Sequence, residues 1–115
     1  MSKETESSDI RVMADYGCHP LWLTRENDNV SPTDPQLGLT PILAERLSEW
    51  AQEFDRILCL DDPASSGFPS PEAEANFAES GERLARNLAQ ELGPSWKVGY
   101  FDLRIDADRE IPYML

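Results

Sequence analysis

The sequence predicts an α+β fold: a small sheet of two or three strands with two amphipathic helices packed on one of its faces. Three observations carry this expectation. Apolar residues alternate over 10–16, they recur at spacings of three and four over 41–58 and 71–92, and a last apolar run covers 96–105.

Taken in order, residues 1–9 are polar throughout and are expected to form a disordered tail, leaving 10–115 as a single domain. Ile10, Val12, Ala14 and Tyr16 fall on one side of an extended chain and Arg11, Met13 and Asp15 on the other, which is the pattern of a strand with one buried face. "GCHP" breaks it, and "LWLT" over 21–24 offers a short returning strand as the optional third. Residues 27–38 read as loop, with Ser31-Pro32 and Asp34-Pro35 starting turns.

Each helix opens on a hydroxyl residue followed by proline, Thr40-Pro41 and Ser70-Pro71. The hydroxyl caps a free backbone N–H, and proline in the first turn loses only an amide that has no helical partner. The first helix, 41–58, carries the stripe Leu43, Leu47, Trp50, Phe54 and Ile57/Leu58. The second, 71–92, carries Ala73, Phe77, Gly81, Leu84, Leu88 and Leu92, and Gly93-Pro94 stops it. Glycine inside a helix is unfavourable by up to about 1 kcal/mol, so Gly81 is expected where another backbone packs close. In the last strand, 96–105, the apolar positions change face near Tyr100-Phe101, which predicts a bulge or a bend. The tail "EIPYML" shows no regular pattern.

Between the helices lies "LCLDDPASSGFPSPEAE". Asp62-Pro63 repeats the cap-then-proline pattern and can open a single helical turn closed by Gly67, which leaves Asp61 without a structural role. Two aspartates beyond a helix C-terminus face the negative end of its dipole, and a broken local rule can mark function. Asp61 and Asp62 are therefore candidate contacts. A divalent cation loop would need several oxygen ligands at set spacing, and the stretch has no such pattern.

Charge sets the class of partner. Asp and Glu number 22 against 10 Lys and Arg, a formal net charge of -12. Such an excess repels nucleic acid and anionic lipid and steers a basic protein. The start shows no apolar signal region and no run long enough to span a membrane, so a cytoplasmic location is expected, with Cys18 and Cys59 both reduced. The motifs GxxxxGK[ST], GxGxxG and HExxH are all absent, Cys and His are too few for a zinc cluster, and no cofactor is implied. A small enzyme using Cys18 and His19, with Asp15 as a third group, is the catalytic alternative. It lacks a second histidine to complete a relay and an oxyanion-hole glycine motif.

The two helices differ in charge order. On the second, Glu79 precedes Arg83 and Glu82 precedes Arg86 by four, the favourable order for ion pairs. On the first, Glu45, Glu49 and Glu53 form a like-charge ladder, opposed in part by Arg46 and Arg56. The ladder is either a solvated face or a surface for a cationic partner.

The segments "ADYGCHPLW", "LGLTPILAERLSEWAQEFD", "DDPASSGF" and "LAQELGPSWKVGYFD" resemble a group of small acidic bacterial proteins. In type the chain is similar to the immunity proteins of bacterial toxin–immunity systems, including contact-dependent growth inhibition. That resemblance implies a non-enzymatic protein that holds and occludes a basic toxin, often a nuclease. The candidate partner contacts are Glu45, Glu49, Glu53, Asp61 and Asp62, with Trp22 as a candidate aromatic anchor. A regulatory partner of some other basic protein is the remaining alternative.

Overall fold

The computed structural model describes residues 8–25, 28–57 and 67–113. Their order is β1 (Ser8–Val12), β2 (Leu21–Leu23), β3 (Asp28–Val30), α1 (Pro41–Arg56), α2 (Pro71–Leu92), β4 (Trp96–Asp102) and β5 (Ala107–Ile111). The fold is α+β as expected, but the sheet has five strands where two or three were expected, in the order β3-β2-β1-β4-β5. β1 and β4 pair in parallel, with Ile10 opposite Val98 and Val12 opposite Tyr100. Every other pairing is antiparallel.

One face of this sheet is apolar. Ile10 and Val12 of β1, Leu21 and Leu23 of β2, Val98 and Tyr100 of β4 and Ile111 of β5 are buried in a single core with the stripes of both helices. The caps form as the sequence predicts: the Thr40 hydroxyl accepts from the Leu43 amide at 3.3 Å and the Ser70 hydroxyl from the Ala73 amide at 3.1 Å. α2 has the expected bounds, and α1 stops at Arg56 with Ile57 as its C-cap.

Gly81 makes room for side chains rather than for another backbone. A Cβ there would collide with the Trp50 indole and the Tyr100 hydroxyl. Those two groups are fixed in turn: Trp50 Nε1 donates to the Phe77 carbonyl at 3.0 Å and Tyr100 Oη to the Ala78 carbonyl at 2.8 Å. Both reach backbone of α2 next to the glycine, so the close approach serves two buried hydrogen bonds as well as packing.

Four strand expectations need correction. β1 begins at Ser8, inside the expected tail, and ends at Val12 instead of running to 16. Past Val12 the chain leaves the sheet: Asp15 Oδ1 accepts from the Tyr16 amide at 2.8 Å, and the Tyr16 ring stacks on Phe54 of α1 at 4.5 Å. β3 lies in the stretch expected to be loop and is too short for a period to show. Its Asn29 side chain takes the His19 amide at 2.8 Å and donates to the carbonyls of His19 and Leu21.

β4 has no bulge. Its inward positions alternate without a break through Trp96, Val98, Tyr100 and Asp102. The apparent change of face arises because the last inward residue is a carboxylate. The chain then turns over 103–106 and returns as β5, a strand that was not expected and that shares only Glu110 and Ile111 with the patternless tail; "ADREI" buries only Ile111. Charged residues on an edge strand also oppose pairing with other chains.

Candidate functional site

The glutamate ladder lies where an interaction surface could be. α1 buries Leu43, Ala44, Leu47, Trp50 and Ala51, so a turn of 100° per residue puts Ile42, Glu45, Arg46, Glu49 and Glu53 on the opposite side. All five are exposed. None of the three glutamates makes an ion pair among the described residues. Ile42 is 64% exposed, one of two large apolar residues so exposed among the described residues. Along one side, Arg46, Glu49 and Glu53 face Ser80, Arg83 and Asn87 of α2 across a shallow groove of about 220 Å³ floored by Trp50 and Leu84. The outer face of α1 therefore combines an apolar end, a row of unpaired carboxylates and a groove against α2.

The Cys18 and His19 region is a connector. Cys18 is free and half-buried, and His19 is exposed. The Cys18 amide donates to the Asp15 carbonyl, the Gly17 amide donates to Asp55 Oδ1 at 2.9 Å, and Asn29 pins the backbone of His19. The Asp15 carboxylate accepts from the Tyr16 amide, and among the described residues no hydrogen bond joins Asp15, Cys18 and His19 through their side chains. No group of three His, Cys, Asp or Glu side chains among the described residues could hold a metal ion.

Trp22 is half-buried, between the inward Leu21 and Leu23, and so points to the sheet face away from the helices. Its indole N–H donates to the Met13 carbonyl at 3.1 Å. It does not share a surface with the ladder of α1. Asp61 and Asp62, with Cys59, lie outside the described residues.

A family model for Serratia CdiI immunity protein-like proteins matches residues 8–103. The chain belongs to that family. No curated protein matches it. The matched span runs from β1 into the turn after β4, and so takes in both helices and the whole Ile42–Glu53 row.

Two features of this CdiI-like chain escape sequence reasoning. Ile42 is one; its signal is an isoleucine on the polar side of the helical wheel. The other is an ionic cluster at the end of β4. Asp102 is 2% exposed and accepts from the Arg104 amide at 3.0 Å, from Arg104 Nε at 3.0 Å, from Arg104 Nη2 at 2.8 Å and from Arg109 Nη1 at 3.0 Å. The Arg104 side-chain bonds, opposed by burial, hold the Asp102 carboxyl down at about 2.

Glu82 of α2 joins the cluster. It accepts from Arg109 at 2.9 Å and from Arg86 at 2.7 Å, and those bonds lower its pKa, Arg109 first. The Glu82–Arg86 pair forms as expected, whereas Glu79 and Arg83 make no ion pair among the described residues. Tyr100, beside this cluster, has its hydroxyl pKa pushed up by burial and then by the charge of Asp102.

Proposed function

We propose that this chain neutralises a basic bacterial toxin domain, a nuclease, by forming a stoichiometric complex with it in the cytoplasm. The complex would occlude the toxin's active site or its nucleic-acid-binding surface, with no turnover by the chain itself. Membership of an immunity protein-like family supports a toxin as the partner. The formal net charge of -12 supports a cationic one.

The observation that carries the reading is the row of exposed, unpaired Glu45, Glu49 and Glu53 on α1. Three like charges at i, i+4 and i+8 oppose helix formation slightly, and among the described residues no ion pair offsets them. A cationic surface would. Ile42, at the head of the row, supplies an apolar contact where the charges end. Trp22, on the sheet face away from the helices, would then lie apart from the primary contact.

The test pairs the chain with its cognate toxin domain, sought among the genes beside its own. Glu49→Gln with Glu53→Gln should slow association and flatten its dependence on ionic strength, since steering charges act mainly on the on-rate. Stopped-flow or surface-binding rates at two salt concentrations would read this. Unchanged rates at both would remove α1 as the binding face and leave the sheet face around Trp22 as the surface to probe.

A further inference from the structure

The turn between β4 and β5 is held more firmly than a connection needs. The Ile105 amide donates to the Asp102 carbonyl at 3.1 Å, closing a turn over residues 102–105. Asp106 follows with φ 52°, the one residue other than glycine at positive φ among those described. Aspartate tolerates that conformation, and with a preceding turn it completes a common short hairpin connection.

The Asp102 carboxylate then fixes the turn from within. Three of its bonds come from Arg104 in the turn itself: the amide, Nε and Nη2. Only the fourth, from Arg109 Nη1, ties the turn to β5, and through Glu82 to α2. Joining β5 to the helix would require Arg109 and Glu82 alone. The three Arg104 bonds to Asp102 lie within the turn and determine its shape, and Arg104 Nη2 also stands 3.8 Å from Glu82 Oε1, so the same guanidinium holds the shaped turn against α2. A buried ionic network is weak evidence for stability, and fixing one conformation is among the uses such networks have.

What the turn presents is an apolar side chain. It contains Leu103 and Ile105. Leu103 turns inward and packs against the core, while Ile105 stands 59% exposed. Turns favour glycine, asparagine, aspartate and serine, and a branched apolar residue at the tip has no local reason to be there. A single exposed isoleucine is ordinary on a protein surface. One at the tip of a hairpin whose shape is fixed by five hydrogen bonds is not accounted for by the fold.

We propose that the β4–β5 turn is a preformed wedge whose Ile105 enters an apolar pocket of the toxin domain. This rests on the reading of the chain as a toxin-binding protein, and adds a second contact to the one on α1. The rim of that pocket is basic: Asp106 flanks the tip without an ion pair among the described residues, while the charge of Arg104 is balanced by Asp102. A fixed turn loses little conformational freedom on insertion, which favours a long-lived complex.

The experiment compares the cognate toxin domain's binding to the wild-type chain, Ile105→Ala, Ile105→Lys and Glu49→Gln with Glu53→Gln, with a melting temperature for each. Ile105→Ala should weaken binding by about tenfold, as truncating a buried anchor does. Ile105→Lys should weaken it further. Both effects should fall on the dissociation rate, leave the salt dependence of association unchanged and leave the melting temperature at the wild-type value. Wild-type affinity in both Ile105 variants would overturn the wedge and leave the toxin-binding reading standing. So would affinity and melting temperature falling together, since Ile105 would then be acting through the fold. A wild-type chain that does not bind the toxin domain would overturn the toxin-binding reading and the wedge with it.

Discussion

Asp102 is a carboxylate whose chemistry differs strongly from its ordinary state. It is a buried carboxylate with all its bonds to cations or amides, and its pKa sits at about 2 against an ordinary 3.8. A folded-state value below the unfolded one means that the ionised form is bound more tightly in the folded protein. The stabilisation is therefore complete above the unfolded value and is lost as pH falls from about 4 to about 2. A shift of this size corresponds to about 2 kcal/mol. Asp102→Asn cannot ionise, so it should be less stable than wild type at neutral pH by about that amount. The gap should narrow as pH falls through the same window. Urea midpoints at pH 7, 4 and 3 check this, and a gap independent of pH would mean that the carboxylate acts by shape alone. The same residue shows what the sequence concealed. An inward-facing strand position is expected to be apolar, so an aspartate there broke the alternation and suggested a bulge where the strand is regular.

At the scale of elements, the helices were legible and the edges of the sheet were not. A helix announces itself twice, through its cap and through a stripe that repeats over many residues, and α1 and α2 carry both. β3 and β5 carry neither. One is three residues long with a side chain, Asn29, making its bonds, and the other exposes Ala107, Asp108 and Glu110 at a sheet edge. The ladder on α1 was legible as a pattern, but Ile42 at its head was not, because a lone apolar residue outside the stripe carries no periodic signal. The cap of α1 extends further than its own sequence indicates. Glu91, near the end of α2, accepts from the Thr40 amide at 2.8 Å and from the Thr40 hydroxyl at 2.7 Å, so one carboxylate fastens the start of α1 to the end of α2. Its charge also sits at the positive end of the α1 dipole. Thr40→Ala should cost about 1 kcal/mol of stability, the usual loss of an N-cap. Glu91→Ala should cost less in the Thr40→Ala background than in wild type, because part of its effect passes through the threonine hydroxyl. A double-mutant cycle by urea denaturation measures that coupling, and strict additivity would show that the two residues act separately.

For the whole molecule, the net charge of -12 acts on folding and on association with opposite signs. Within the chain, an excess of one sign is self-repulsive and opposes the compact state. Added salt screens that repulsion beyond roughly 10 Å at 0.1 M, so it should raise the melting temperature of the free chain between low and moderate ionic strength. The Asp102 cluster should resist this screening, because its central carboxylate is buried and its bonds are direct. Towards a cationic partner the same charge is attractive, and the same salt should slow association. Glu49→Gln with Glu53→Gln separates the two effects. Removing two charges from a like-charge ladder should leave the melting temperature unchanged or slightly raised, by a few tenths of a kcal/mol per relieved pair. It should at the same time reduce the association rate at low salt. Melting curves and association rates measured over one series of ionic strengths test both together. If the variant instead melts well below wild type, the glutamates are paired in the folded state, and the row on α1 is part of the fold rather than a surface open to a partner.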